Sequence, residues 1–132
     1  MPHLGRKHLR FHLTALLIAL HAPFAVASDN GTELLAHCQV AERFADTGEL
    51  KDSVALVRCI ALLNGVHDTM QFLSVFMDRS TPYRSCFPDE SVSKTQIMRI
   101  VLKYLRANPE RLHEPNTVLA IRALHQAFPC QK

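Results

Sequence analysis

Tryptophan is absent from this sequence, tyrosine occurs twice and glycine four times. None of its serines sits in a Gly-x-Ser-x-Gly elbow, so the signature of an α/β-hydrolase nucleophile is missing. No two of the four cysteines are closely spaced, which removes the paired ligands of structural zinc, and no Cys-x-x-Cys-His haem motif occurs. There is no basic run and no aromatic platform, so nucleic acid is excluded as a class of partner. Nor is any apolar run both long and uncharged enough to span a bilayer. No stretch alternates as a strand bounded by turns, and there is neither an internal repeat nor a low-complexity tract.

The first 27 residues read differently from the rest. Arg6, Lys7 and Arg10 precede an apolar run from Leu13 to Leu20, followed by Pro23 and Ala25-Val26-Ala27. This is the charged, apolar, small-residue order of a secretory signal, with cleavage expected after Ala27 and Ser28 as the first mature residue; an uncleaved anchor is the alternative. Export to the periplasm follows, with no membrane association after cleavage. All three basic residues lost lie in the leader, so twelve Lys and Arg remain against twelve Asp and Glu, and the mature chain of residues 28–132 carries no net charge. Its size suits one domain with one core.

The chain is organised around an apolar run from Asp52 to about Asp78. From Val54 to Leu63 the only charge is Arg58, so a helix there has almost no face for water and must be wrapped, by its own neighbours or by a second subunit. From Asn64 onward, Asn64, His67, Asp68, Gln71 and Asp78 recur at helical spacing opposite Leu62, Val66, Met70, Leu73 and Phe76. Gly65 in a helix interior suggests close approach of a neighbouring element; a merely tolerated glycine is the other reading.

Asn30 and Glu33 resemble a capping pair opening a first helix, whose Leu34, Cys38, Ala41 and Ala45 face the core and which ends at Asp46-Thr47-Gly48-Glu49. Asp52 caps the second helix, so a short connection makes the two antiparallel neighbours. Ser93 and Gln96 form a capping box for a third, with Val92 and Ile97 placed as a staple and Ile97, Ile100, Val101, Tyr104 and Leu105 as its apolar stripe. Asn108-Pro109 stops it. Pro115 can start a last helix in which Thr117, Ala120, Ile121, Leu124, Ala127 and Phe128 share a face. The expected fold is therefore a small all-α domain of four helices.

Four cysteines in an exported small domain point to two disulfides, for which three connectivities exist. Cys38 and Cys59 are nearly equidistant from the turn at Gly48-Glu49 and sit level in an antiparallel hairpin. That favours Cys38–Cys59, leaving Cys86 in a loop for Cys130 at the C-terminal end. Each bridge closes a loop worth roughly 3 to 4 kcal/mol by chain entropy.

The long loop from Arg79 to Ser91 carries Tyr83 and Arg84, residue types enriched at binding hot spots, with Asp89 and Glu90 beside them. These four are the candidate partner-binding residues, against the plainer reading of a connecting loop with an anchoring aromatic. Other constellations are weaker. His37, Cys38, Cys59, His67 and Asp68 lack metal-site spacing, and an oxidising compartment favours disulfides over ligands. His113 and His125 read as exposed helix-flank residues. Asp89 and Glu90, adjacent in a loop, are poor support for a paired-carboxylate site. We expect no catalytic residues, metal or cofactor.

The ordered set Cys59-x5-Gly65-Val66-x-Asp68, Cys86-x-Pro88, Gln96, Tyr104-Leu105, Asn108-Pro109-Glu110, Ala123-Leu124 and Phe128-Pro129-Cys130 resembles the Rap/Tai family of immunity proteins over nearly the whole mature chain. Leu62 departs from it, since the family more often has an aromatic there. The resemblance implies an exported, disulfide-bonded helical protein, often a homodimer. It implies that such a protein binds a peptidoglycan amidase delivered by type VI secretion and blocks its active-site cleft. The rival expectations are a periplasmic chaperone and a helical envelope-assembly subunit without a toxin partner.

Overall fold

The computed structural model describes residues 29–76, 78, 83–88 and 92–130. The leader, Asp89 and Glu90 lie outside the described residues. Four helices follow in order: α1 (Gly31–Thr47), α2 (Ser53–Phe76), α3 (Lys94–Ala107) and α4 (Asn116–Ala127), with a 3-10 turn (Pro109–Arg111) between the last two. No strand occurs among the described residues.

The helix starts are built as the sequence expects. Asn30 Oδ1 accepts from the N–H groups of Thr32 and Glu33 at 3.0 and 3.2 Å. Asp52 Oδ1 takes those of Val54 and Ala55 at 2.9 and 3.0 Å, and Ser93 Oγ that of Gln96 at 3.1 Å. Each satisfies donors a helix start leaves without intrahelical partners. Gly48 ends α1 at φ 74°, its N–H donating to the Phe44 carbonyl at 2.9 Å; a side chain there would strain a left-handed residue.

Both disulfides pair as the spacing favours, Cys38 with Cys59 and Cys86 with Cys130. The first joins α1 to α2 with Cα atoms 5.1 Å apart and both sulfurs fully buried. Around it lies the core of Leu34, Ala41, Leu63, Val66, Met70, Ile97, Met98, Val101, Leu102, Leu105, Leu119, Ala120, Ala123 and Leu124. Each large side chain here contributes about 1.5–3 kcal/mol on burial. Two ion pairs, Arg106 with Glu42 at 2.5 Å and Arg99 with Asp46 at 2.6 Å, fasten α1 to α3 outside it. Glu114 accepts from both Arg111 and Arg122 in the turn before α4.

Three sequence expectations are corrected. On α2 only the stripe Ala55, Cys59, Leu63, Val66 and Met70 is buried. Leu73 and Phe76, expected on the apolar stripe, are exposed, the latter at 71 %; Val54, Val57 and Phe72 are exposed as well, so of the two ways of wrapping this run the molecule's own helices do not supply it. On α1 the burial stops at Ala41, leaving Ala45 exposed. On α4 the buried face is Leu119, Ala120, Ala123 and Leu124; Ile121 and Phe128 pack against the core only partly buried, and Thr117 and Ala127 are exposed. The reason is common to all three: an apolar run wider than one stripe does not reveal which of its sides meets a neighbour.

At Gly65 the second of the two readings holds. Nothing lies within 4 Å of a Cβ built there, so no element approaches it; the close approach is at Gly31, where a Cβ would stand 2.3 Å from Leu119 Cδ1 and 3.0 and 3.1 Å from the backbone Cα and O of Leu112. Gly31→Ala should therefore destabilise the fold by about 1–3 kcal/mol through overpacking. Gly65→Ala should stabilise it by up to about 1 kcal/mol, as expected in an uncrowded helix interior. Urea unfolding of the two variants checks the opposite signs.

Acid should loosen the same frame. The Arg106 guanidinium bonded to Glu42 holds that carboxyl below its usual value of 4.5, and Arg111, with Arg122, does the same for Glu114. Carboxyls depressed in the folded state stabilise it above their unfolded value and lose that contribution as pH falls through the folded one. The urea midpoint should drop as pH falls below 4.5, and the drop should be smaller in Glu42→Gln with Glu114→Gln.

Candidate functional site

Exposed Thr117 and half-buried Ile121, at the edge of the core, border a furrow between α2 and α4. Its walls are Ala61, Leu62, Gly65, Val66, Thr69, Met70 and Leu73 from α2, Thr117 and Ile121 from α4, and Tyr83 and Arg84 from the segment that follows α2. It encloses about 530 Å³, within the range of side-chain and ligand pockets. The absent side chain of Gly65 is part of its width, which gives that glycine a role the sequence does not announce.

Tyr83 and Arg84, two of the four expected binding residues, thus stand together at the mouth of this groove. Asp89 and Glu90 lie outside the described residues. Tyr83 is 54 % exposed, with its ring edge against the His125 ring at a centroid distance of 5.7 Å. Its backbone sits at φ 63°, the only non-glycine residue with positive φ among those described. For a residue with a side chain this left-handed geometry costs roughly 1–2 kcal/mol, a strain that persists only where neighbouring structure enforces it.

Arg84 supplies that enforcement. Its Nε and Nη2 donate to the carbonyl oxygen of Ser74 at 3.1 and 2.6 Å, tying the segment to the last turn of α2. Its own carbonyl oxygen lies 3.0 Å from His125 Nδ1, which must carry the proton to bond there. Next along the chain, Ser85 bridges to Pro129, and Cys86 donates its N–H to the Phe128 carbonyl at 2.9 Å and bonds covalently to Cys130. Arg84 is therefore a clasp through its Nε, Nη2 and carbonyl oxygen, and Tyr83 beside it presents the exposed aromatic ring. His125, expected as an exposed flank, is instead half-buried and bonded; a long-range contact between residues 84 and 125 leaves no local mark in sequence.

Beneath the segment Phe87 packs edge-on to His67, ring centroids 4.7 Å apart, and against Phe128 at 4.9 Å. His67 Nδ1 lies 3.4 Å from Asp68 Oδ1, while His67 Nε2 and the fully buried Ser85 Oγ have no partner among the described residues. Cys38 and Cys59, the thiols of the imagined metal constellation, are joined to each other. No group of three or more metal-ligating side chains occurs among the described residues, and no helix among them is long and apolar enough to cross a membrane. The groove brings no nucleophile, base and acid together; it offers apolar walls, one exposed aromatic and a braced lip, the equipment of a recognition surface.

Comparison with known proteins adds one finding. A family model described as Rap1a immunity proteins matches residues 30–130, a stretch that contains both disulfides, the groove and the Tyr83–Arg84 lip. No curated protein and no solved structure matches the chain.

Removing the Arg84 side chain deprives the Ser74 carbonyl of two charge-assisted donors. Arg84→Ala should lower stability by about 1.5–3 kcal/mol in urea unfolding, the range for hydrogen bonds to charged groups, and should increase amide exchange in the last turn of α2.

Proposed function

This chain belongs to the Rap1a family of immunity proteins, which bind a secreted effector, and we propose that its effector is a peptidoglycan amidase delivered by type VI secretion. In this reading residues 1–27 are a signal peptide cleaved after Ala27, and residues 28–132 are a single mature domain that waits in the periplasm. The protein has no enzymatic activity; it acts by seating itself over the amidase cleft and excluding the peptidoglycan stem peptide.

The observation that carries the reading is the match over residues 30–130 taken with the braced apolar groove it encloses. Steric occlusion needs a rigid element that does not yield when pressed against a cleft. The segment 83–88 meets that need through its covalent and hydrogen-bonded anchors. Tyr83 is the anchor residue, with Arg84 holding it; Asp89 and Glu90, outside the described residues, are the further candidates for contact. Aromatic anchors beside a desolvated pocket concentrate binding energy. The exposed apolar side of α2, with Val54, Val57, Phe72 and Phe76, is the surface a second copy covers if the protein is a homodimer.

The test begins with mature protein, residues 28–132 with both disulfides intact, used to capture effectors from its own strain. An amidase should be recovered in stoichiometric amount and its hydrolysis of peptidoglycan suppressed on mixing. Tyr83→Ala combined with Gly65→Leu removes the anchor and fills the groove from a position whose Cβ meets nothing within 4 Å. It should weaken inhibition by about 30-fold or more, the loss typical of a hot spot, with the unfolding midpoint kept. Recovery of many unrelated unfolded proteins would instead indicate a chaperone, a stable partner that is not a toxin would indicate an envelope subunit, and full inhibition by the variant would displace the groove as the binding face.

A further inference from the structure

The two disulfides differ in how a thiol can reach them. Cys38 and Cys59 are completely buried between α1 and α2, whereas Cys86 is exposed and Cys130 half-buried. Thiol–disulfide exchange requires direct approach of a thiolate to sulfur, so exposure sorts one bridge from the other. Burial protects the bridge that lies in the core, and exposure leaves open the one that holds the groove lip.

What the exposed bridge holds is a short segment outside every helix. Residues 83–88 are joined to the rest by the Cys86–Cys130 bond, the Cys86 N–H to Phe128 carbonyl bond, the bridge of buried Ser85 to Pro129, the Arg84 contacts to Ser74 and His125, the Tyr83 ring on His125, and Phe87. Of this segment only Phe87 packs on the core cluster as an apolar side chain, and that cluster is otherwise supplied by the helices, Val92, Leu112 and Phe128. Tyr83 sits in a left-handed conformation, held on α4 by its ring contact with His125.

We propose that Cys86–Cys130 is a redox-addressable clasp: a dithiol reductant opens it ahead of Cys38–Cys59, and its opening releases Tyr83 and the Arg84 wall of the groove while the four-helix body stays folded. In the reduction one reductant thiolate attacks a sulfur of the bridge and forms a mixed disulfide with it. The second reductant thiolate then displaces the protein sulfur. Two electrons and two protons end on Cys86 and Cys130 as thiols, and the reductant leaves as its own disulfide. Re-formation is the reverse, with a disulfide-donating oxidant taking the two electrons. Combined with the effector-binding reading, on which this consequence alone rests, the binding face is assembled only in an oxidising compartment.

The experiment titrates the folded, disulfide-intact chain with dithiothreitol, followed by differential alkylation and mass spectrometry. Cys86 and Cys130 should be labelled at least about tenfold faster than Cys38 and Cys59. Because the chain contains no tryptophan, Tyr83→Trp provides a single fluorophore at the lip, whose anisotropy should fall on reduction while far-UV ellipticity is kept. Cys86→Ser with Cys130→Ser, in the chain that retains Tyr83, should reproduce the open state without reductant, with amide exchange over residues 83–88 rising at least about tenfold and that of Leu63 and Val101 unchanged. Reduction of both bridges together, or a lip whose exchange and anisotropy stay the same, overturns the clasp. An open lip with undiminished affinity for the effector leaves the clasp standing and overturns the groove as the effector face.

Discussion

The Cys38–Cys59 bridge is the constraint on which the rest of the structure depends. It fixes α1 against α2 at one level of the hairpin, and so determines which stripe of a nearly all-apolar helix turns inward. With Cys59 pinned, Leu63, Val66 and Met70 follow on the same side at helical spacing, and α3 and α4 complete the core against them. The remaining apolar side of α2 is left outside, with Val54 and Val57 near one end and Phe72 and Phe76 near the other.

The groove is a consequence of that arrangement. A helix buried along a narrow stripe presents its flank to the next helix, and here the flank of α2 and the edge of α4 that carries Thr117 and Ile121 meet across a furrow that Gly65 keeps wide. The second disulfide then acts at the furrow's mouth. It draws the 83–88 segment onto the C-terminal turn, and with Arg84 braced on Ser74 the backbone of Tyr83 is forced into a conformation it would not choose alone. One bridge sets the core and the other sets the surface.

Much of the fold was legible in the residues. Asn30, Asp52 and Ser93 each cap the helix they were expected to cap, Gly48 ends α1, and the turn-centred positions of Cys38 and Cys59 pair them correctly. These are local rules, in which a side chain meets backbone two or three residues away. What was not legible depends on distant contacts. In α3 the buried Met98 and Leu102 fall beside the expected stripe, because periodicity gives a broad apolar sector and only the neighbouring helices choose its centre. The same holds for Gly65, where absence of a side chain reads equally as close packing or as open space. Arg84 reads as a binding residue from its type and its loop; that its Nε and Nη2 also brace the Ser74 carbonyl, a partner ten residues back, no pattern discloses.

Membership of the Rap1a immunity family gives the chain a secreted effector to bind, and the proposed binding face is the Tyr83 side of the molecule, not the bare side of α2. Hydrogen–deuterium exchange of the disulfide-intact protein, alone and saturated with the effector it inhibits, tests this most directly. New protection is expected over residues 61–73, 83–88 and 117–121, with α1 and α3 unchanged. Protection confined to α1 and α3, with the groove and its lip exchanging as before, would contradict it.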